Sequence, residues 1–228
     1  MTAPSDTGEL VRCTGVTRTY GSGAGEVHAL RGVSCALRPG MQVALTGPSG
    51  SGKSTLLHLL TGLDMPTSGT VAWPGLDGSP AGRPGLIGMV FQGPSLLPPL
   101  DVTENVALPL LLAGSTETQA RERALAALHD VSLDELAARL PEELSGGQAQ
   151  RVAVARALAA QPQVILADEP TGQLDSAHAA QVVSLLQDTA TRLGTALVLS
   201  THDQAIAQRL PDRWRMADGL MVPEGDPC

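Results

Sequence analysis

The sequence predicts an α/β protein whose parallel sheet is covered by helices on both faces. Three observations lead to this prediction. Short apolar runs alternate with helical stretches, a glycine-rich phosphate-loop pattern at 47–55 joins a strand to a helix, and a second buried strand at 164–167 ends in two acids. We found no internal repeat and no long linker, so a single domain over 10–228 is expected after a flexible N-terminal segment, 1–9.

The phosphate-loop pattern G-x-x-x-x-G-K-[ST] is matched at every fixed position. Its residues are Gly47, Pro48, Ser49, Gly50, Ser51, Gly52, Lys53, Ser54 and Thr55. A loop between a strand and a helix start points backbone N–H groups and the positive end of the helix dipole at an anion. Lys53 is the only lysine among 15 Lys and Arg residues, as expected if a compact ammonium must reach the β- and γ-phosphates. Ser54 would place its hydroxyl on Mg²⁺.

Asp168 and Glu169 directly follow the apolar run 164–167, which is typical of a strand buried in a parallel sheet. Asp168 is expected to hold the metal, directly or through water. Glu169 is expected to orient and deprotonate the attacking water. Taken alone, the pair could equally be a strand that ends in acidic loop residues. The preceding phosphate loop favours nucleotide hydrolysis instead.

A third motif consists of Leu144, Ser145, Gly146, Gly147 and Gln148. Ser145 and Gln148 suit a capping box at a helix start. Two glycines in the first turn nevertheless weaken a helix by up to about 1 kcal/mol each relative to alanine. Close approach of the backbone to a ligand would explain why they are there.

Composition restricts the possible partners. The net charge of −8 argues against a broad nucleic-acid-binding surface. No apolar run is long enough to span a bilayer and the N-terminus lacks signal-peptide features, so the chain is expected in the cytoplasm. Cys13, Cys35 and Cys228 lack metal-site spacing and are expected to be reduced thiols.

The pattern also predicts individual elements. Strands are expected at 10–19, as several short pieces within 27–37, and at 42–46, 86–91, 164–167 and 196–200. Helices are expected after the phosphate loop with Leu63 on the apolar side, after Thr116, after Ser132 until Pro141, after Ser145, and at 176–193. Asp218 and Gly219 predict a hairpin turn.

With these motifs in this order, the chain resembles the ATP-binding cassette (ABC) ATPases over residues 10 to about 222. Leu144 to Gln148 match that family's signature, and Arg151 to Leu158 continue its usual helix. The resemblance implies a P-loop NTPase fold with a parallel core sheet, an antiparallel β lobe and a helical signature lobe at about 93–160. It also implies that ATP and Mg²⁺ lie between the phosphate loop of one copy and Ser145, Gly146 and Gly147 of another, in a homodimer or a heterodimer.

The resemblance assigns four further roles by position. Tyr20, the only tyrosine, would stack on adenine, although a core or edge-strand aromatic is the simpler alternative. Gln92 would sense Mg²⁺ and link to a membrane partner, although a surface glutamine is the alternative. Asp175 would lie in a loop crossing the dimer interface. His202 would contact the γ-phosphate, although a lone histidine is usually structural.

Within the family, 90–110 and 171–175 resemble the lipoprotein-release and macrolide-exporter ATPases. That implies an integral membrane permease as partner, export or lipoprotein extrusion as function, and a location on the inner face of the membrane. Two features depart from that group: Gln173 replaces the usual Asn, and only 22 residues separate Gly69 from Gln92. A soluble ABC ATPase of translation or repair, and an importer ATPase, remain as alternatives.

Overall fold

The computed structural model describes residues 8–93, 95–172 and 174–222. The segment 1–9, for which flexibility was predicted, therefore lies outside the described residues except for Gly8 and Glu9. Gln173 and Cys228 also lie outside them. Cys13 and Cys35 are free thiols, as predicted, and they lie opposite each other on neighbouring strands.

Most strands agree with the predicted alternation of strand and helix, but the strand at 68–72 was not predicted. They are β1 (Val11–Tyr20), β2 (Val27–Leu37), β3 (Gln42–Thr46), β4 (Ser68–Ala72), β5 (Ile87–Val90), β6 (Val164–Asp168), β7 (Ala196–Ser200), β8 (Asp212–Ala217) and β9 (Leu220–Val222). The region 27–37 forms one strand, β2, and not the several short strands predicted. Register shifts against β1 interrupt its pairing without ending it.

One α-helix follows the phosphate loop, three lie one after another between β5 and β6, and two flank β7. They are α1 (Lys53–Leu60), α2 (Val102–Leu112), α3 (Glu117–Asp130), α4 (Gly146–Ala159), α5 (Ser176–Leu193) and α6 (Gln204–Ala207). Between β4 and β5, at the short segment before Gln92, the only helical element is the 3₁₀ turn Pro74–Leu76. In the described part of the chain, no helix has both the length and the apolar character needed to cross a bilayer.

Two sheets organise the molecule. The smaller is antiparallel, with strand order β2-β1-β4. The larger has the order β5-β6-β7-β3-β8-β9 and is parallel except for the terminal β8–β9 hairpin. Asp218 and Gly219 turn that hairpin with φ values of 47° and 77°, as their sequence predicts. The predicted parallel core sheet and antiparallel lobe are both confirmed.

The large sheet is covered on both faces. Val164 and Leu166 of β6 pack into a core shared with α1, β1 and β2. Ile165 and Ala167 of the same strand face the opposite core, which contains residues of α2, α3, α4 and α5. Because consecutive side chains of a strand point to opposite faces, a strand covered on both sides must be apolar throughout. This explains the uninterrupted apolar run before Asp168.

Helix α2 lies within the helical lobe expected at about 93–160, but it was not predicted as an individual helix. Its start has a capping box: the Glu104 N–H donates to Asp101 Oδ1 at 2.7 Å, and the Asp101 N–H donates to Glu104 Oε2 at 2.8 Å. Pro109 lies in the last turns, where it removes one backbone hydrogen bond. Burial of Val102, Val106 and Leu110 in the core offsets that loss.

Two local predictions were wrong. The capping box at Ser132 does not form, since Ser132 has a φ of 56° and only a 3₁₀ turn, Asp134–Leu136, follows it. Pro141 accordingly begins another 3₁₀ turn and ends no helix. Leu63 lies beyond the end of α1 and is 64% exposed, so it does not belong to the apolar face of that helix.

Candidate nucleotide-binding site

The phosphate loop connects β3 to α1, as predicted. At two of its positions, backbone atoms of other strands leave room only for glycine. A Cβ added to Gly47 would collide with the carbonyl oxygen of Met216. One added to Gly52 would lie 2.5 Å from the carbonyl oxygen of Ala29. Gly50 has open space around it but a φ of 79°, which favours glycine for conformational reasons. The loop is therefore pressed against β8 and β2.

Lys53 is the first residue of α1 and only 6% of it is exposed. Its Nζ donates to the carbonyl oxygens of Gly47 and Pro48, at 2.9 and 3.1 Å. The ammonium thus lies inside the curve of the loop, against the two residues that begin the motif. A phosphate in that curve would meet its positive charge directly.

The two acids are fixed by a residue that sequence reasoning did not single out, Ser200 at the end of β7. Its Oγ donates to Asp168 Oδ1 at 2.6 Å, and the Glu169 N–H donates to the same Oγ at 2.9 Å. Ser200 is fully buried and lies opposite Asp168 in the parallel register of β6 and β7. Only that register reveals the contact, because the two residues are far apart in sequence.

Glu169 brings two other predicted site residues together. Its Oε1 lies 3.9 Å from Lys53 Nζ, and its Oε2 lies 3.3 Å from His202 Nδ1. Its backbone has a φ of 44°, a conformation that is unfavourable for a residue with a side chain and is common at functional sites. The result is a mostly buried carboxylate between a lysine and a histidine at the carboxyl end of a parallel sheet, where α/β proteins bind ligands.

The metal-binding prediction involves Ser54, Gln92 and Asp168. Asp168 is 6% exposed, with one oxygen bonded to Ser200, and Ser54 is an exposed residue in the first turn of α1. Gln92 is exposed and follows β5, whose Val90 pairs with Ala167, next to Asp168. Among the described residues, no cluster of three His, Cys, Asp or Glu side chains could hold a metal. Few protein oxygens near a phosphate site suit Mg²⁺, which takes phosphates and waters as its other ligands.

A cavity of about 630 Å³ opens beside the phosphate loop. Gly47, Pro48 and His202 line it, together with Arg213 and Arg215 of β8. The two arginines add positive charge close to the motif and were missed by sequence reasoning, since a charged strand near the end of the chain has no recognisable pattern. Positive charge in a concave site favours an anionic ligand.

Tyr20 lies at the end of β1 and is 38% exposed, so it is not a core aromatic. Its hydroxyl donates to Asp64 Oδ2 at 2.7 Å, and the guanidinium carbon of Arg18 lies 4.4 Å from the ring centre. Asp64 follows α1, the helix that begins at the phosphate loop. The aromatic ring and the phosphate loop are therefore connected through one helix.

The signature residues lie at the start of α4, whereas the phosphate loop leads into α1. Ser145 caps α4: its Oγ accepts the Gln148 N–H at 3.3 Å, and Gln148 Oε1 accepts the Ser145 N–H at 2.8 Å, which confirms the predicted capping box. Ser145 and Gly146 are exposed. Helix α4 packs on α2, α3, α5 and β5, whereas α1 packs on β1, β2 and β6. Within one chain, the signature and the phosphate loop thus belong to different packing units.

Asp175 is exposed and caps α5 by accepting the N–H groups of Ala177 and His178, at 3.1 and 3.0 Å. Its other oxygen lies 2.6 Å from His178 Nδ1. The backbone and side-chain hydrogen bonds from His178 lower the pKa of Asp175, so this carboxylate stays ionised in its exposed position.

A phosphate loop on a parallel sheet, a buried acid pair and a separate capped signature helix define an ATP-binding cassette. The ABC transporter family model matches residues 30–172, more than half of the chain. The chain belongs to the ABC transporter family, and it is an ATPase of that family, as the resemblance implied.

Individual relatives are more specific than the family model. The chain is 46% identical to the lipoprotein-releasing system ATP-binding protein LolD of Legionella pneumophila (strain Paris), over 85% of this chain and 88% of that protein. It is 40% identical to the protein of the same name from Idiomarina loihiensis, over 96% of this chain and 99% of that protein. The predicted resemblance to lipoprotein-release ATPases is confirmed.

Solved structures agree on the fold. The dimeric ATP-binding cassette MJ0796, in a post-hydrolysis state bound to ADP and Pi, superposes with a TM-score of 0.87 at 37% identity, covering 94% of this chain and 97% of that one. The protein cbiO1 of Clostridium perfringens, part of the ABC transporter complex cbiONQ, has a TM-score of 0.79 at 28% identity, covering 94% and 87%. The predicted fold class is confirmed.

Proposed function

We propose that this chain hydrolyses ATP with Mg²⁺ at a site shared between two cassettes, and thereby powers a membrane permease that extrudes lipoproteins or related peptides. The observation that carries the catalytic part is the position of Glu169. Its carboxylate lies between Lys53 and His202 and is tied at its backbone to Ser200. A carboxylate held in this way can orient a water molecule and accept its proton.

The other residues divide between binding and charge stabilisation. Residues 47–55 cradle the phosphates through backbone N–H groups, and Lys53 transfers its hydrogen bonds from the loop carbonyls to phosphate oxygens. His202, with 71% of its side chain exposed, contacts the γ-phosphate. Ser54, Asp168 and Gln92 would hold Mg²⁺, which supplies charge neutralisation on the phosphates when bound.

The signature completes the site from a second molecule. Ser145 caps helix α4 and two glycines follow it, the first of them exposed, which suits close contact of the helix start with a nucleotide bound to another molecule. Phosphoryl transfer depends mainly on positioning and on charge stabilisation, so a phosphate loop without the signature of a second molecule should turn over slowly. The dimeric cassettes among the solved structures support this arrangement.

The test is Glu169→Gln. Without a proton acceptor, the ATPase rate should fall at least about 100-fold while ATP still binds. Because ATP is no longer consumed, the variant should elute as a stable dimer in size-exclusion chromatography with ATP and as a monomer without it. ATPase assays and light scattering on the same samples provide both measurements.

Glu122→Gln is the matched control, since Glu122 is an exposed glutamate of α3 remote from the acid pair. It should leave both the rate and the oligomeric state unchanged. A Glu169→Gln protein that hydrolyses ATP at the wild-type rate would remove Glu169 from the role of base. Loss of ATP binding in that variant would instead indicate a structural role.

The permease part of the proposal rests on an exposed apolar surface around α2. Leu97 before the helix, and Leu111 and Leu112 at its end, are 43%, 41% and 65% exposed. Exposed apolar side chains at the two ends of a helix suit docking of a membrane partner's cytoplasmic segment. The relatives named as lipoprotein-releasing ATP-binding proteins support a lipidated protein as substrate.

Co-purification distinguishes this proposal from the alternatives. A tagged chain should be recovered from detergent-solubilised membranes together with an integral membrane protein. On this proposal the chain occupies the inner face of the membrane through that partner. Recovery with ribosomes or DNA would favour a soluble ABC ATPase, and a partner that takes up ions or nutrients would favour an importer.

A further inference from the structure

Arg18, Tyr20 and Asp64 form a compact cluster at the end of β1, the middle strand of the antiparallel sheet. The Arg18 guanidinium makes two bonds to the Asp64 carboxylate, Nε to Oδ2 at 2.9 Å and its terminal nitrogen to Oδ1 at 2.7 Å. Tyr20 donates its hydroxyl to the same Oδ2 at 2.7 Å. Such bidentate arginine–carboxylate pairs fix the orientation of both side chains.

The ring of Tyr20 is restrained on one face and at one end. Arg18 covers a face, with its guanidinium carbon 4.4 Å from the ring centre, and Asp64 holds the hydroxyl. Tyr20 keeps 38% of its surface exposed. A flat ring fixed in this way can accept a stacked base on its other face without losing rotamer freedom on binding.

Asp64 also connects this cluster to the phosphate loop. Its N–H and that of Leu63 donate to the carbonyl oxygen of His58, in the last turn of α1. Desolvation opposes the charge on Asp64, but hydrogen bonds from Tyr20, Met65 and Arg18 outweigh it and lower the pKa of the carboxyl. The anchor of the ring is therefore ionised and lies at the far end of the helix that begins with Lys53.

We infer that Arg18 and Asp64 are positioning residues that hold Tyr20 as a pre-oriented platform for the adenine base, at a distance from the phosphate loop set by α1. This inference rests on the proposed nucleotide site and on the stacking role that the family resemblance implies for Tyr20. It adds the pair Arg18 and Asp64, whose contacts fix the ring before the base binds.

Comparison of ATP with inorganic tripolyphosphate, which lacks a base, tests the inference. Calorimetry with Mg²⁺ should show that wild-type protein prefers ATP and that Tyr20→Ala loses about tenfold in ATP affinity, the effect of one lost stacking contact. Asp64→Ala and Arg18→Ala should each weaken ATP binding at least about threefold, since each leaves the ring partly restrained. Tripolyphosphate affinity should be unchanged in all three.

The double variant Tyr20→Ala/Asp64→Ala should bind ATP no more weakly than Tyr20→Ala, because residues acting through one ring are not additive. Asp134→Ala removes an exposed carboxylate that is paired with His129 at 2.9 Å, and it should change neither affinity. The sole tyrosine permits a direct observation as well. Labelling with 3-fluorotyrosine gives one ¹⁹F resonance from Tyr20, which should shift with ATP but not with tripolyphosphate.

Three other outcomes would overturn the inference. Equal affinity of the wild type for ATP and tripolyphosphate would overturn both the platform and the proposed nucleotide assignment. If Tyr20→Ala abolishes the preference for ATP and Asp64→Ala retains it in full, the nucleotide site stands and the positioning role is wrong. If Asp64→Ala weakens both ligands in parallel, Asp64 acts on the structure of α1, and the inference also fails.

Discussion

The phosphate-loop half and the signature half of the nucleotide site are built in opposite ways. Lys53 and Glu169 are mostly buried and lie among hydrogen bonds that their own chain supplies. Ser145 and Gly146 are exposed, and the Ser145 side chain accepts the Gln148 N–H within its own capping box. The phosphate-loop half is preorganised inside a single molecule, whereas the signature half leaves the start of α4 exposed at the surface.

This difference indicates how the cassette can couple ATP to movement. In the buried, preorganised half only the Lys53 ammonium has to exchange loop carbonyls for phosphate oxygens, whereas the exposed half contributes only when another molecule brings it close. In the proposed arrangement ATP would contact both halves only in the closed dimer, so its binding would favour that state over the separated one. Hydrolysis would remove the bridging phosphate and with it the preference for the closed state.

The largest effect is expected from mixed dimers prepared with two affinity tags in the Glu169→Gln background. Pairing a Lys53→Ala chain with a Ser145→Arg chain should leave one intact site and trap one ATP per dimer. Placing both changes in one chain and pairing it with an unchanged partner should trap none, since each site then contains one damaged half. Radiolabelled ATP retained after gel filtration measures the stoichiometry.

The opposite pattern would contradict the comparison. If each chain used its own signature, the double-variant chain paired with an unchanged one would keep a site, and the Lys53→Ala with Ser145→Arg pair would keep none. Dimers without either change, which should retain two ATP, calibrate the count.

A smaller effect is expected from Gly47→Ala in the buried half. The new Cβ meets a backbone oxygen of Met216 in β8, which cannot move away as a side chain would. The free energy of unfolding should fall by about 1–3 kcal/mol and ATP binding should weaken at least about tenfold, because the loop has to shift. Urea denaturation and calorimetry provide the two values.

Gly114→Ala is the control that separates the steric cost of a new Cβ from the conformational cost of a positive φ. Gly114 also has a positive φ, 91°, but has open space around it, so only the conformational cost applies. It should lose less stability than Gly47→Ala and bind ATP normally. Equal effects on stability in the two variants would show that the contact with Met216 costs little.

The smallest effect on stability, with a separate effect on activity, is expected from Gly147→Ala in the exposed half. Alanine favours a helix by up to about 1 kcal/mol over glycine. The nearest atom to its Cβ is the end of the flexible Leu174 side chain, at 3.1 Å. The free energy of unfolding should therefore not decrease, while the ATPase rate should fall as the second cassette is held away. A fully active Gly147→Ala protein would argue against close approach at this position.

Local patterns predicted the elements whose signals are local. The strand–loop–helix around 47–55, the strand before Asp168, helix α5 and the capping box at Ser145 all follow from neighbouring residues. Helix α2 had an equally local signal in Asp101 and Glu104, which the sequence analysis did not use. Ser132 shows the reverse case, because its capping pattern was overridden by the chain reversal after α3.

By itself, the sequence determined the family, the fold class and the residues of the phosphate loop, acid pair and signature, because each consists of residues adjacent in the chain. Tertiary structure alone decided which distant residues support them. Ser200 meets Asp168 through the register of two parallel strands, and Asp64 meets Tyr20 because α1 returns towards β1. Such contacts depend on how elements pair and pack, and no spacing within the chain specifies that.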